Sequence, residues 1–505
     1  MTQPTRTALL FTLCATAVAA TLTPGLAAAD GRPAVRAEPA FAWHACEPSG
    51  GAPVPAGQEC ASLRVPLDYR DPGGPAVEVA VARLRTDRPA ARRGTLLVIP
   101  GGPGSSGVQR LAQKGEALRA ATGGGYDLVS LDPRGVGGST RGRCGLPAGD
   151  RWLTTLRSWP DADGGIAENT ERARRTAASC ESGGDALLRS VSTLNEARDI
   201  DRLRGALGER ELTVWGTSYG AYVGAVYAQK FPQRVDRLVL DSTGDPDPAR
   251  VAHGWLENMA AGAADRFPDF AAWAADPARE EAGLRLADRA EDVEPLLLAL
   301  ARRLDGSPRA SDVAGVPLTG NGLRQALQNA LYSDAAFPAL ARLVRAAQDP
   351  LGRPVLPPEL ARALPDEDAS LMVAGICNDV RWPSSAAGYA RRVAADRERY
   401  PLTAGMPANI TPCAFWKSGP SEKPVRITGE GPSEVLMIQS LRDPATPYAG
   451  ALRMREALGD RARMVTVGQG GHGMYLGNGN ACGDRAVSAF LVDGVRPARD
   501  AHCPN

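Results

Sequence analysis

From Gly94 onward the chain alternates short runs that are apolar almost throughout with longer stretches whose apolar residues recur at helical spacing. Thr95–Ile99 reads TLLVI, Tyr126–Leu131 YDLVSL, Leu212–Trp215 LTVW and Val235–Leu240 VDRLVL. Runs of this length with so few polar interruptions predict strands buried on both faces, as in a parallel sheet. Helices are predicted between them. Thr193-Leu194-Asn195-Glu196 has capping-box spacing, and Ile200, Leu203 and Leu207 then fall on one face. The run AYVGAVYAQKF after Gly220 also reads as helix, stopped by Pro232. Strand alternating with helix means an α/β fold.

The pattern changes after Gly244. Residues 245–405 read mainly as helices with Pro-rich joints, such as Glu294–Leu304 and Leu323–Ala347. Alternation resumes with EVLMIQS from Glu434 and ARMVTV from Ala462. The expected organisation is one sheet domain in two parts, 30–244 and 406–505, interrupted by a helical insertion at 245–405. Residues 1–29 stand apart. Arg6, the apolar run Ala8–Leu22, Pro24 and Ala27-Ala28-Ala29 have the layout of a cleavable secretory signal, which predicts an exported protein. No later stretch is long and apolar enough for stable membrane insertion.

Composition narrows the function classes. Lys and Arg number 58 against 57 Asp and Glu, a balance that argues against a nucleic-acid partner. Lys occurs only at Lys114, Lys230, Lys417 and Lys423, which fits a coding bias better than a functional device. Loss of the lead removes Cys14 and leaves Cys46, Cys60, Cys144, Cys180, Cys377, Cys413, Cys482 and Cys503. An even set in an exported chain predicts disulfides. Pairing of sequence neighbours is the expectation, among 105 possible connectivities. No CxxC is present, which argues against a metal site, and no cofactor is expected. Oligomeric state is not legible.

Candidate chemistry lies at Gly216-Thr217-Ser218-Tyr219-Gly220, the one GxSxG of the chain. It follows a strand and opens a helix, the setting of a nucleophile elbow. A serine hydroxyl needs a base, normally a histidine oriented by a carboxylate. Histidine is scarce: His44 precedes the sheet, His253 begins the insertion, and His502 lies in the tail. His472 alone follows a predicted strand, within Gly470-Gly471-His472-Gly473, and is the expected base. Asp443, after strand EVLMIQS, is the expected acid. Asp241, ending VDRLVLD, is its rival, with a plainer role in bonding loop amides. The oxyanion donors are expected to be the amides of Tyr219 and of Gly102, in the loop Pro100–Gly107. That loop lacks the Gly-Lys-Ser/Thr of a phosphate cradle, and nucleotide binding is discounted.

Together these residues resemble the prolyl- and tripeptidyl-aminopeptidase group of α/β-hydrolase peptidases, especially its secreted bacterial tripeptidyl branch. The matching pieces run in the family's order: Gly101-Gly102-Pro103-Gly104, Asp132 to Ser139 (DPRGVGGS), Gly216 to Gly220, Asp443 to Pro447 (DPATP), and Gly471-His472-Gly473. Where prolyl aminopeptidases commonly carry His before Gly-Gly-Pro-Gly, this chain has Pro100, a lean toward the tripeptidyl branch. The resemblance implies an α/β-hydrolase fold with a helical cap inserted before the last strands. It also implies release of short peptides from the free N-termini of peptides or proteins. Such exopeptidase action needs carboxylates for the substrate ammonium group. Asp379 is the first candidate, then Glu367 and Asp368. Asp132 and Arg134 are expected to brace the turn beside the site. The alternative is a secreted carboxylesterase or lipase-like hydrolase using the same triad. A non-catalytic scaffold is disfavoured by the intact Ser218, Asp443 and His472.

Overall fold

The computed structural model describes residues 41–48, 53–432 and 434–504. The signal-like lead at 1–29, with Cys14, lies outside them. Among the described residues ten strands make one sheet: β1 His44–Ala45, β2 Gln58–Pro66, β3 Ala76–Leu84, β4 Gly94–Ile99, β5 Tyr126–Leu131, β6 Leu212–Thr217, β7 Val235–Asp241, β8 Glu434–Ser440, β9 Ala462–Val467 and β10 Ala501–Cys503. Their order in space is β1-β2-β3-β5-β4-β6-β7-β8-β9-β10. The strands from β5 through β10 run parallel, and β1 to β3 form an antiparallel margin joined to β5. This is the α/β-hydrolase fold.

The nearly unbroken apolar runs are explained by cores on both sides of the sheet. Leu97, Ile99, Val214, Leu238 and Leu240 pack on one side with the helix Tyr219–Lys230. Their neighbours Leu96, Val98, Trp215, Val239 and Leu436 pack on the other side with Leu111, Leu118 and Phe490. Side chains alternate across a strand, so a strand covered twice has no room for polar positions. β2 and β3 instead alternate: Leu63, Val65, Val79 and Val81 point into the core, while Arg64 and Glu78 are exposed.

Past the carboxyl ends of β7 and β6 lies a helical layer. It includes His253–Ala275, Val293–Gly306, Gly320–Ala330, Phe337–Gln348, Asp366–Cys377 and Ala386–Arg399. Phe267, Phe270, Leu297, Leu327, Phe337 and Leu340 belong to its own apolar core. The sequence predicts one helix over Leu323–Ala347, but the structure breaks it at 331–336. Ser333 caps a short turn there, and Pro338 restarts the helix in its first turn. A smaller difference concerns the helix Thr193–Ala206, whose cap is Ser192 rather than Thr193. The layer also draws on a segment before β6. Ile166, at the start of helix Ala167–Gly183, packs with Tyr389, Val393 and Ile410.

Four disulfides join sequence neighbours: Cys46–Cys60, Cys144–Cys180, Cys377–Cys413 and Cys482–Cys503. The first and last brace the two margins of the sheet, and the middle two lie in the helical layer. Among the described residues no helix is long and apolar enough to cross a membrane.

Candidate active site

β6 ends in a sharp turn that holds Ser218 at φ 60 and ψ −124, a strained conformation for a residue with a side chain. The turn closes because the Ser218 amide donates to Asp241 O at 2.8 Å and Ala221 donates back to Ser218 O at 2.9 Å. A side chain at Gly220 would place its Cβ 2.3 Å from Pro100 O, so only glycine lets the helix start this close to β4.

Asp241 is the joint of the sheet edge. Its backbone holds the elbow, and its buried carboxylate accepts the amides of Met474 at 2.7 Å and Tyr475 at 3.1 Å. Burial pushes its carboxyl up, against those hydrogen bonds. It does the plain structural work named for it above, and that work carries the His472 loop to the elbow. Ser242 adds a second tie, accepting the Gly473 amide at 2.8 Å on Oγ. A Cβ on Gly473 would lie 3.5 Å from Thr217 Cγ2, so the residues flanking His472 and Ser218 are in contact.

Asp443 leaves the end of β8 and is 1% exposed. Oδ1 accepts the amides of Ala445 at 2.9 Å and Thr446 at 2.8 Å, and Thr446 Oγ1 donates to Oδ2 at 3.0 Å. His472 Nδ1 lies 2.9 Å from both carboxylate oxygens. With Nδ1–H donating to Asp443, Nε2 is the nitrogen left to take a proton. Burial works to lower the imidazole pKa, but the charge and hydrogen bond of Asp443 outweigh it and the net shift is upward. Among the described residues Ser218 Oγ makes no hydrogen bond.

Tyr332 sits in the helix break, and sequence reasoning missed it. Its carbonyl accepts the His472 amide at 2.9 Å, and its ring meets the imidazole edge-on at 5.1 Å between centroids. The legible signal was Ser333-Asp334 followed by Pro338, a stop and restart inside an otherwise helical run.

Ser218 opens on a cavity of about 460 Å³ lined also by Gly102, Tyr219, Trp255, Met259, Tyr332 and Leu371. Gly102 has φ +122, and a Cβ there would strike Gly104 N at 2.5 Å. Gly102, Gly104 and Gly107 do have dinucleotide-loop spacing, but the loop is pressed on the elbow, where a Cβ on Gly101 would sit 3.1 Å from Ser218 Cβ. Asp132 anchors this loop, accepting Ser106 Oγ at 2.6 Å and the Val108 and Gly138 amides. Arg134 is buried against Asp199 and the carbonyls of Pro66 and Leu67.

The three candidate amine-holding acids part company. Asp379 does not line the cavity. It accepts the Thr193 amide at 2.9 Å and the Thr193 hydroxyl, behind Tyr219, and borders a separate recess of about 30 Å³. Glu367 is partly buried and does not line the cavity either. Asp368 does line it, ion-paired with Arg141. The other histidines lie elsewhere: His44 is exposed on β1, His253 pairs with Glu257 at 3.3 Å, and His502 meets Thr466.

Comparison with known proteins agrees with this layout. Residues 400–503 match the family model described as TAP-like protein. The tripeptidyl aminopeptidase of Streptomyces lividans is 30% identical over 475 residues, covering 91% of this chain and 86% of that protein. The serine protease Hip1 of Mycobacterium tuberculosis is 30% identical over 492 residues, covering 91% of this chain and 90% of that protein. The carboxylesterase B of Mycobacterium tuberculosis is 30% identical over 511 residues, covering 96% of this chain and 93% of that protein.

Proposed function

The chain belongs to the tripeptidyl-aminopeptidase family of α/β-hydrolase serine peptidases, and on that premise we propose that it is a secreted exopeptidase releasing short peptides, tripeptides foremost, from free N-termini. Ser218 Oγ attacks the scissile carbonyl while His472 Nε2 takes its proton. The amides of Gly102 and Tyr219 receive the developing oxyanion. The C–N bond then breaks, and the imidazolium returns the proton to the leaving amine. Water, activated by the same imidazole, releases the acyl group and restores Ser218. Asp443 keeps the ring in the productive tautomer throughout.

The contact that carries this reading is His472 Nδ1 at 2.9 Å from a fully buried Asp443, in loops tied to the Ser218 elbow through Asp241. The cavity supports a short guest, since about 460 Å³ lies within the roughly 300–1,000 Å³ of small-ligand sites. Of the three candidate acids only Asp368 lines that cavity, and it takes the substrate ammonium in exchange for its ion pair with Arg141. The four disulfides and the signal-like lead support export.

Paired tripeptide anilides, one with a free amine and one N-acetylated, test the reading. An aminopeptidase cuts the free form and spares the blocked one. The second reading, favoured by the similarity to a carboxylesterase, is met if simple acyl esters are hydrolysed and both anilides are ignored. Activity that survives Ser218→Ala removes both.

A further inference from the structure

Four charged side chains line the cavity, and three are neutralised where they stand. Asp150 is held by Arg175 at 2.6 Å, Arg172 pairs with Asp150 and Glu168, and Asp368 pairs with Arg141. Arg157 is the exception. Among the described residues its guanidinium has no hydrogen bond and no carboxylate within ion-pair distance.

The backbone that presents Arg157 is well anchored. Its amide donates to Leu153 O at 2.8 Å and its carbonyl accepts Trp159 N at 2.6 Å. Trp159 is buried with its indole bonded to Gln325, and Ser158 O accepts Asn409 at 2.6 Å. Tyr332 lines the same cavity, and its hydroxyl likewise makes no hydrogen bond among the described residues. Burial pushes that phenol up, and the Arg157 charge opposes the rise, so the two groups act on each other. Arg157 is half-buried and lines the same cavity as Trp255, Met259, Leu371 and Ile376, with its charge unpaired. A carboxylate guest supplies the partner it lacks, and the planar fork suits it to two parallel hydrogen bonds.

We propose that Arg157 is a specificity residue that takes a carboxylate of the bound peptide, so that the enzyme favours acidic over isosteric neutral substrates. The inference rests on the peptidase reading and deepens it. The carboxylate can come from a Glu or Asp side chain in the released segment or from the C-terminus of a very short substrate. The probes separate these sources. One set is free-amine tripeptide anilides with Glu or Gln at each of the three positions. The other is an unblocked tetrapeptide as free acid and as C-terminal amide.

Wild-type enzyme is expected to prefer Glu over Gln at one position, or acid over amide, by on the order of tenfold in kcat/KM. Arg157→Gln should erase that preference while the Gln and amide substrates are turned over as before. Unchanged neutral turnover also shows that the variant folds. Arg157→Lys, with charge but no fork, should retain part of the preference. A preference absent from every pair, or an equal loss of acidic and neutral substrates in Arg157→Gln, overturns the assignment. Binding of the tripeptides Ala-Glu-Ala and Ala-Gln-Ala, with the positions permuted, supplies a readout free of turnover. If no anilide is cut, the peptidase reading fails by itself, and these affinities still decide Arg157.

Discussion

The sheet edge and the helical wall face each other across one cavity but are held by different forces. At the edge, short carboxylates on strand ends accept backbone amides: Asp241 takes Met474 and Tyr475, and Asp443 takes Ala445 and Thr446. Both acids are essentially unexposed, so these bonds fix loop geometry tightly. The wall relies on apolar packing, disulfides and long Arg side chains reaching acids, as at Arg141–Asp368 and Arg175–Asp150. Such pairs are adjustable and individually weak. The difference suggests a division of labour in which the edge performs chemistry and the wall chooses what is admitted.

The hardest test of that division is Asp443→Asn. The amide keeps the size of the carboxylate but presents N–H to His472 Nδ1, which then carries its proton on Nε2 and cannot act as base. A loss in kcat of about 10⁴-fold is expected, with product-peptide affinity little changed. A variant that raised KM and spared kcat would break the comparison at its strongest point.

The wall yields differently. Cys377 ends the helix Asp366–Cys377, whose Leu371 and Met372 line the cavity, and Cys413 follows the lining residues Thr411 and Pro412. Replacing both cysteines by Ala opens a loop with a sequence separation of 36 and should cost about 3–4 kcal/mol of stability. Well below the lowered Tm, kcat should hold while KM rises. Equal losses in kcat and kcat/KM would mean that the wall reaches into the chemistry, and one contact offers the route. A Cβ on Gly375 of that helix would sit only 3.1 Å from Pro103, beside the Gly102 amide.

How legible each region was follows from the same contrast. The doubly buried strands announce themselves because both faces demand apolar residues, and Ser218 and His472 stand at their ends. The half-exposed β2 and β3 carry a weaker, period-two signal at Leu63, Val65, Val79 and Val81, because polar residues such as Arg64 and Glu78 interrupt the apolar ones. In the wall, helix content was readable and side-chain destination was not. Asp379 follows Cys377 and Asn378 at the end of a helix that lines the cavity, yet its carboxylate turns to Thr193, and no spacing rule distinguishes that from the cavity. Tyr332 was hidden inside a run that looked like continuous helix. Arg157 carried no motif at all, because its interest lies in the partner it lacks.

The smallest expected effect concerns protons, and it sets the two regions against each other at one residue. His472 must be neutral to accept the Ser218 proton, so kcat/KM is lost as pH falls through its pKa. That pKa is raised above 6.5, since the Asp443 charge outweighs the burial that acts to lower it. The acidic limb should therefore lie above the ordinary imidazole value. The linked effect on stability has the opposite sign. A folded-state pKa above the unfolded one means that the folded protein holds the proton more tightly. That contribution is complete below about pH 6.5 and withdrawn as pH rises through the folded value. Over one window the enzyme should thus gain activity while losing a little stability. Tm against pH for wild type minus that for His472→Gln isolates the second curve. If the two curves rose together, or if the limb fell below the ordinary value, the buried Asp443–His472 pair would not be the charged couple on which the edge depends.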